Sequence, residues 1–144
     1  MTLLFDVNLL FVLHQPNHPN FTLVSRWFRS KEGKPFATCP ITESGLVRLL
    51  IQSVAGLEPF ASQEARDALK RVTQRPGHVF WPDTPSWLDS TAPLFDRLHG
   101  YRQTTDAYLL GLAIHNKGTL ATLDRGIHHL AGTEFARSVE LIKT

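Results

Sequence analysis

Four acidic residues occupy positions in the sequence that favour chemistry over simple solvation. They are Asp6, Glu43, Asp106 and Asp124. Asp6 ends the first apolar run of the chain, and Asp124 directly follows another run at 119–123. Clustered carboxylates raise one another's pKa values unless a cation lies between them. Because Mg²⁺ and Mn²⁺ prefer oxygen ligands, the four acids predict a metal site that binds phosphate oxygens and activates water.

Glu43 and Asp106 each head a stripe of apolar residues at helical spacing. The stripes are Leu46, Val47, Leu50 and Ile51 after Glu43, and Leu109, Leu110 and Ala113 after Asp106. Such stripes are predicted to face the core. A charge at the top of a buried face is costly unless something pairs with it, so both acids are candidates for a shared site.

Each of the four acids also has a purely structural explanation. A first-turn acid such as Glu43 or Asp106 gains about 0.3–1 kcal/mol from the helix dipole. Asp6 would cap the element that follows the first strand, and Asp124 would cap or turn the chain before Arg125. We favour one shared cause over four independent coincidences, because both helical acids also show the apolar alignment that a dipole does not need.

Alternating strands and helices must position these acids. Strands are predicted at 3–7, 36–39, 78–81, 119–123 and 139–142, and helices at 21–30, 43–57, 61–73 and 103–116, with a loop and a short helix at 82–98. Thr42 is predicted to cap the helix that starts at Glu43. The alternation predicts an α/β fold with a parallel sheet covered on both faces. In such a sheet the functional crevice lies at the carboxyl ends of the strands.

Composition limits the class of protein. The chain has 144 residues, 42% hydrophobic and 19% charged, with a formal net charge of +2, which predicts one globular domain over residues 1–144. The single cysteine, Cys39, excludes an intrachain disulfide and a cysteine-based zinc site. Asp6 interrupts the apolar amino terminus, and no apolar stretch approaches the roughly 20 residues of a membrane span. We therefore expect a soluble cytoplasmic protein with no membrane partner.

The four acidic segments, taken in order, resemble the motifs of PIN-domain proteins. The segments are Leu3-Leu4-Phe5-Asp6-Val7-Asn8, Ile41-Thr42-Glu43, Thr104-Thr105-Asp106-Ala107-Tyr108-Leu109 and Leu120-Ala121-Thr122-Leu123-Asp124. Their order and spacing match over nearly the whole chain. The size is similar to that of VapC-type toxins of bacterial toxin–antitoxin pairs.

This resemblance implies a three-layer α/β/α fold with a central parallel sheet of four to five strands. It also implies a metal-dependent endoribonuclease that hydrolyses RNA and leaves a 5′-phosphate. Asp6 and Asp106 would be direct ligands of Mg²⁺ or Mn²⁺, and Glu43 and Asp124 would complete the pocket. The family further implies a homodimer inhibited by a small VapB-like antitoxin.

Two residues would support the acids, and one departure from the family is visible. Asn8 and Thr122 are predicted to hydrogen-bond the carboxylates. Some family members carry a further acidic or amide residue shortly after the fourth acid, whereas this chain continues with residues Arg125, Gly126 and Ile127. A second metal ion is therefore expected to bind weakly.

Other interpretations compete with this one. The main alternative is a PIN-like module that binds RNA or protein without cutting. A phospho-receiver domain would need paired acids after the first strand, which this sequence lacks. The basic and aromatic segment 26–34 would either track RNA or form a helix with Trp27 and Phe28 facing inward, and we favour the latter.

Overall fold

A five-stranded parallel sheet forms the centre of the fold within residues 1–52 and 56–143, which the computed structural model describes. Its strands are β1 (Leu3–Phe5), β2 (Phe36–Thr38), β3 (His78–Phe80), β4 (Thr119–Thr122) and β5 (Val139–Leu141). They lie in the order β3-β2-β1-β4-β5, and every neighbouring pair is parallel. The predicted parallel sheet is confirmed.

Helices cover both faces of the sheet. One layer holds α1 (Val7–Leu13), α2 (Phe21–Ser30), α3 (Pro40–Ile51) and α4 (Ser62–Thr73), and the other holds α5 (Trp87–Thr91), α6 (Thr104–His115) and α7 (Arg125–Ala131). Short 3-10 helices lie at Ala92–Arg97, Tyr101–Gln103 and Ala136–Ser138. The three-layer α/β/α architecture is therefore confirmed. No helix in the described part of the chain is long and apolar enough to cross a membrane.

Side chains alternate between the two layers along each strand, as the pleat requires. Leu3 and Phe5 of β1 pack into the core under α1–α4, whereas Leu4 packs into the core under α6 and α7. Burial on both faces explains why the central strands β2, β1 and β4 are largely apolar, continuously buried runs rather than alternating patterns.

Two predicted boundaries were wrong. The first strand ends at Phe5 instead of continuing to residue 7, because Asp6 caps a helix that begins at Val7. The helix predicted at 43–57 begins at Pro40 and ends at Ile51, with residue 39 in the N-cap position in place of Thr42. Proline at the first helical position sacrifices no hydrogen bond, which permits this earlier start. Positions 53–55 of the predicted helix lie outside the described residues.

The strand order reverses direction once, between β1 and β4. The chain moves outward from β1 through β2 to β3, then returns to the other side of β1 to form β4 and β5. Two connections on opposite sides of such a point leave a crevice outside the carboxyl ends of the central strands. Asp6, directly after β1, and Asp124, two residues after the end of β4, therefore stand at this crevice.

Gly111 allows α6 to pack closely against α5. A Cβ atom added at this glycine would collide with the carbonyl oxygen of Ser90 and crowd its hydroxyl. The Ser90 hydroxyl itself donates to the carbonyl oxygen of Tyr108, 3.0 Å away. The backbones of the two helices therefore meet without an intervening side chain, and α6 cannot move outward without losing this contact.

We predict that Gly111→Ala lowers the free energy of unfolding by about 2–4 kcal/mol, because overpacking against a backbone atom outweighs the helix propensity of alanine. Urea unfolding measures this change. Gly100→Ala is the control, since its Cβ meets no atom within 4 Å, and it should stay within about 0.5 kcal/mol of the parent chain. Equal stability of the two variants would contradict the close approach of α5 and α6.

Candidate active site

Asp6 is buried at the junction of β1 and β4. Its backbone N–H donates to the carbonyl oxygen of Ala121 at 3.0 Å. Its Oδ1 accepts from the backbone N–H of Val7 at 2.8 Å, and its Oδ2 accepts from the hydroxyl of Thr122 at 2.7 Å. Burial raises the pKa of Asp6 although both hydrogen bonds oppose this shift. The carboxylate is thus held firmly in a place that disfavours its charge.

Thr122 connects Asp6 with Asp124. Its fully buried hydroxyl donates to Asp6 and accepts from the backbone N–H of Asp124 at 3.0 Å. Asp124 caps α7, with its Oδ1 accepting from the backbone N–H of Gly126 at 2.7 Å. One threonine hydroxyl therefore fixes the relative position of two of the predicted site residues.

Asp106 approaches the same junction from the first turn of α6. It is only partly exposed, and its pKa is raised to about 7, first by burial and then by the charges of Asp6 and Asp124. The carboxylates of β1, β4 and α6 thus act on one another electrostatically. The structure brings Asp6, Asp106 and Asp124 together as one acidic group.

Glu43 lies on the side of the sheet covered by α1–α4. Its Oε2 accepts from the hydroxyl of Thr38 at 2.7 Å, and the same hydroxyl lies 2.7 Å from Nε2 of His78. The pKa of His78 is lowered by burial, and the charge of Glu43 opposes this shift. Glu43 therefore stands at the carboxyl end of β2, one strand away from Asp6.

The acids repel one another, and among the described residues they do not form a complete metal-binding site. Within residues 1–52 and 56–143, no three His, Cys, Asp or Glu side chains lie close enough together to hold a metal ion in common. Asn8 is exposed on α1 and lines a cleft of about 470 Å³ with Asp124. The hydrogen bonds that the carboxylates accept in the described part of the chain come from groups other than Asn8.

The aromatic rings of segment 26–34 face inward. Trp27 and Phe28 pack against Phe5, with ring centroids 5.5 and 5.9 Å away. Lys31 pairs with Glu140 at 2.9 Å. The helix ends at Ser30, and its half-buried Trp27 and Phe28 face inward, as the favoured interpretation predicted.

Sequence reasoning missed Thr38 and His78. Thr38 is the last residue of β2, just as Thr122 is the last residue of β4. Because functional residues of parallel sheets lie at the carboxyl ends of the strands, this position could have identified Thr38. His78 offered no comparable signal, because its contact with Thr38 depends on the pairing of β2 with β3 across 40 residues of sequence.

Several ribonucleases of Mycobacterium tuberculosis are similar to this chain in sequence. Ribonuclease VapC29 of Mycobacterium tuberculosis is 38% identical over 132 residues, which cover 92% of each chain. Ribonuclease VapC44 of the same organism is 37% identical over 127 residues, 88% of this chain and 89% of its own. Ribonuclease VapC39, also from that organism, is 34% identical over 142 residues, 99% of this chain and 100% of its own. No protein-family model matches the chain.

A solved structure shares the fold. The crystal structure of FitAcB from Neisseria gonorrhoeae superposes with a TM-score of 0.63 at 20% identity, covering 98% of this chain and 96% of that one. The architecture and the relatives together define a PIN-domain protein. On the strength of identities between 34% and 38% over nearly its whole length, the chain belongs to the VapC family.

The raised pKa of Asp106 predicts a pH-dependent cost in stability. The folded protein holds this proton up to about pH 7, whereas the unfolded chain releases it near the ordinary value of 3.8. Between these values the folded state binds more protons, so stability falls as the pH rises, and the cost is complete above about pH 7. An asparagine side chain at this position does not titrate, so it avoids this cost in stability.

In EDTA we expect Asp106→Asn to be more stable than the parent chain by about 1–2 kcal/mol at pH 8, a value discounted for the partial exposure of the side chain. The gain should stay level down to about pH 7 and then shrink as the pH is lowered further to about 5. Urea unfolding at each pH measures it. The exposed Asp67→Asn on α4 is the control. A gain that stays constant with pH would contradict the raised pKa of Asp106.

Proposed function

We propose that this chain is a toxin endoribonuclease that depends on Mg²⁺ or Mn²⁺ and hydrolyses RNA phosphodiester bonds. The observation that carries the proposal is the group of Asp6, Asp106 and Asp124, in which burial, and then the charges of Asp6 and Asp124, raise the pKa of Asp106 to about 7. Such a group of like charges is costly unless a cation neutralises it, and strongly perturbed pKa values cluster at functional sites. The named activity of the VapC relatives supports the same conclusion.

The donor set fits a hard divalent cation. The groups available are carboxylate oxygens, without cysteine sulfur, and this chemistry suits Mg²⁺ and Mn²⁺. Asp6 and Asp106 would be the direct ligands, with Asp124 and Glu43 as further ligands. When bound, the cation supplies charge neutralisation of the scissile phosphate and lowers the pKa of a coordinated water.

The residues of the chain provide position and charge. The backbone N–H of Val7 and the hydroxyl of Thr122 each donate to one oxygen of Asp6, so the carboxylate has one orientation. Asp124 is fixed by Gly126 and Thr122. The acids would orient a water for attack on phosphorus, with departure of the 3′ oxygen and a 5′-phosphate as product. Preorganisation of this kind removes the need to arrange the groups during the reaction.

The partners are proposed from the family. RNA is the substrate, a VapB-like antitoxin inhibits the enzyme by covering the acidic group, and two copies of the chain form a homodimer. The cytoplasm is the proposed compartment, where the lone Cys39 stays reduced. A non-catalytic module that binds RNA or protein is the second candidate, favoured by the finding that the described residues contain no three-ligand metal group.

Asp6→Asn should reduce Mn²⁺-dependent RNA cleavage on the order of 100-fold or more, because it removes a ligand charge while preserving the shape of the side chain. Gel analysis of a defined RNA with Mg²⁺, with Mn²⁺ and with EDTA measures this. Asp67→Asn, exposed on α4 and hydrogen-bonded to Gln63, is the matched control and should cleave normally.

Two results would count against the enzyme. Cleavage that continues in EDTA would contradict the role of the cation. RNA binding without cleavage by the parent chain in Mg²⁺ and in Mn²⁺ would favour the non-catalytic module.

A further inference from the structure

A buried hydroxyl connects Glu43 with a histidine on a neighbouring strand. Thr38 is fully buried at the end of β2, and its Oγ1 lies 2.7 Å from Oε2 of Glu43 and 2.7 Å from Nε2 of His78. These three side chains come from α3, β2 and β3. Of the three, Glu43 alone has a role in the proposed cation site, as a further ligand, so the other two need an explanation.

The direction of the two hydrogen bonds follows from counting protons. A threonine hydroxyl has one proton, and an ionised carboxylate can only accept. Thr38 therefore donates its proton to Glu43. His78 must then carry a proton on Nε2 and donate it to the Thr38 oxygen. The order of donation is His78 to Thr38 to Glu43, and each bond polarises the next.

The pairing of β2 with β3 positions His78, the first donor in this series of hydrogen bonds. His78 is paired in register with Phe36, so both side chains and that of Thr38 lie on the same face of the sheet. The imidazole ring packs edge-on against Phe36, with centroids 5.4 Å apart. The ring can therefore reach Thr38 in the same strand pair while Phe36 limits its rotation.

We propose that His78 and Thr38 are positioning residues that hold the Glu43 carboxylate in one orientation for the cation. The proposal rests on the proposed function, since it gives Glu43 a ligand role. Glu43 lies at the carboxyl end of β2, beside the strand that precedes Asp6. Among the described residues its carboxylate accepts from the Thr38 hydroxyl and not from backbone donors such as those that fix Asp6 and Asp124. The Thr38 hydroxyl supplies the corresponding constraint. Partners that orient a ligand in this way commonly contribute 10- to 100-fold to metal affinity.

Mn²⁺ binding to the full chain, measured by isothermal titration calorimetry without RNA, tests this role. Thr38→Val keeps the shape but removes the hydroxyl, and it should weaken Mn²⁺ binding about 10-fold or more. Thr38→Ser restores the hydroxyl and should stay within about 3-fold of the parent chain. His78→Phe keeps a ring against Phe36 and should weaken binding about 3- to 10-fold. His115→Phe, exposed in the last turn of α6, is the control and should bind normally.

A second measurement examines the parent chain alone. Nitrogen-15 NMR of the metal-free protein should show His78 with its proton on Nε2. A proton on Nδ1 with bare Nε2 would overturn the assigned direction of donation, whether or not the variants fold.

The outcomes separate this proposal from the proposed function. Mn²⁺ binding by Thr38→Val equal to that of the parent chain would overturn the positioning role alone, even if thermal stability falls. Failure of the parent chain to bind Mn²⁺ would overturn the proposed function and the positioning role together. Weaker binding in Thr38→Val with recovery in Thr38→Ser supports the role.

Discussion

Repulsion between carboxylates at the reversal point of the sheet is the constraint on which the account depends. β1 and β4 are neighbours in the sheet, and Thr122 and Asp6, which are hydrogen-bonded, are 116 residues apart in sequence. The parallel pairing leaves Asp6 and Asp124 at one edge, and α6 adds Asp106 there. Two packed helical layers keep these elements in place, so the acids cannot separate to relieve their charge. A divalent cation, as proposed, would relieve this repulsion.

Helix capping and the acidic site are not alternatives in this fold. Asp6 caps α1 with one oxygen, and Asp124 caps α7 in the same manner. Capping bonds favour the charged form of a carboxylate, yet burial still raises the pKa of Asp6. The helix-capping roles predicted for Asp6 and Asp124 are therefore compatible with the electrostatic cost of placing the carboxylates close together. Capping adds a benefit as well, because it sets the orientation in which the carboxylates meet.

Much of the fold followed from local sequence, and the rest depended on pairing across the chain. Short apolar runs such as 36–39 predicted the strands because burial on both faces leaves no other pattern. The ends of the predicted strands also indicated Asp6 and Asp124, because the functional crevice of a parallel sheet lies at the carboxyl ends of its strands. The start of α3 at Pro40 was missed because Thr42 offered a stronger local capping signal than residue 39. His78 was missed because its role depends on the register of β2 with β3, which periodicity does not encode.

The pKa of the Asp106 carboxyl group, followed by carbon-13 NMR with and without Mg²⁺, tests the central claim most directly. The account predicts titration near pH 7 in the metal-free protein. Saturating Mg²⁺ should lower the pKa well below this value, since the cation favours the charged form. Titration at the ordinary value without Mg²⁺, or a pKa near 7 that Mg²⁺ leaves unchanged, would contradict the account.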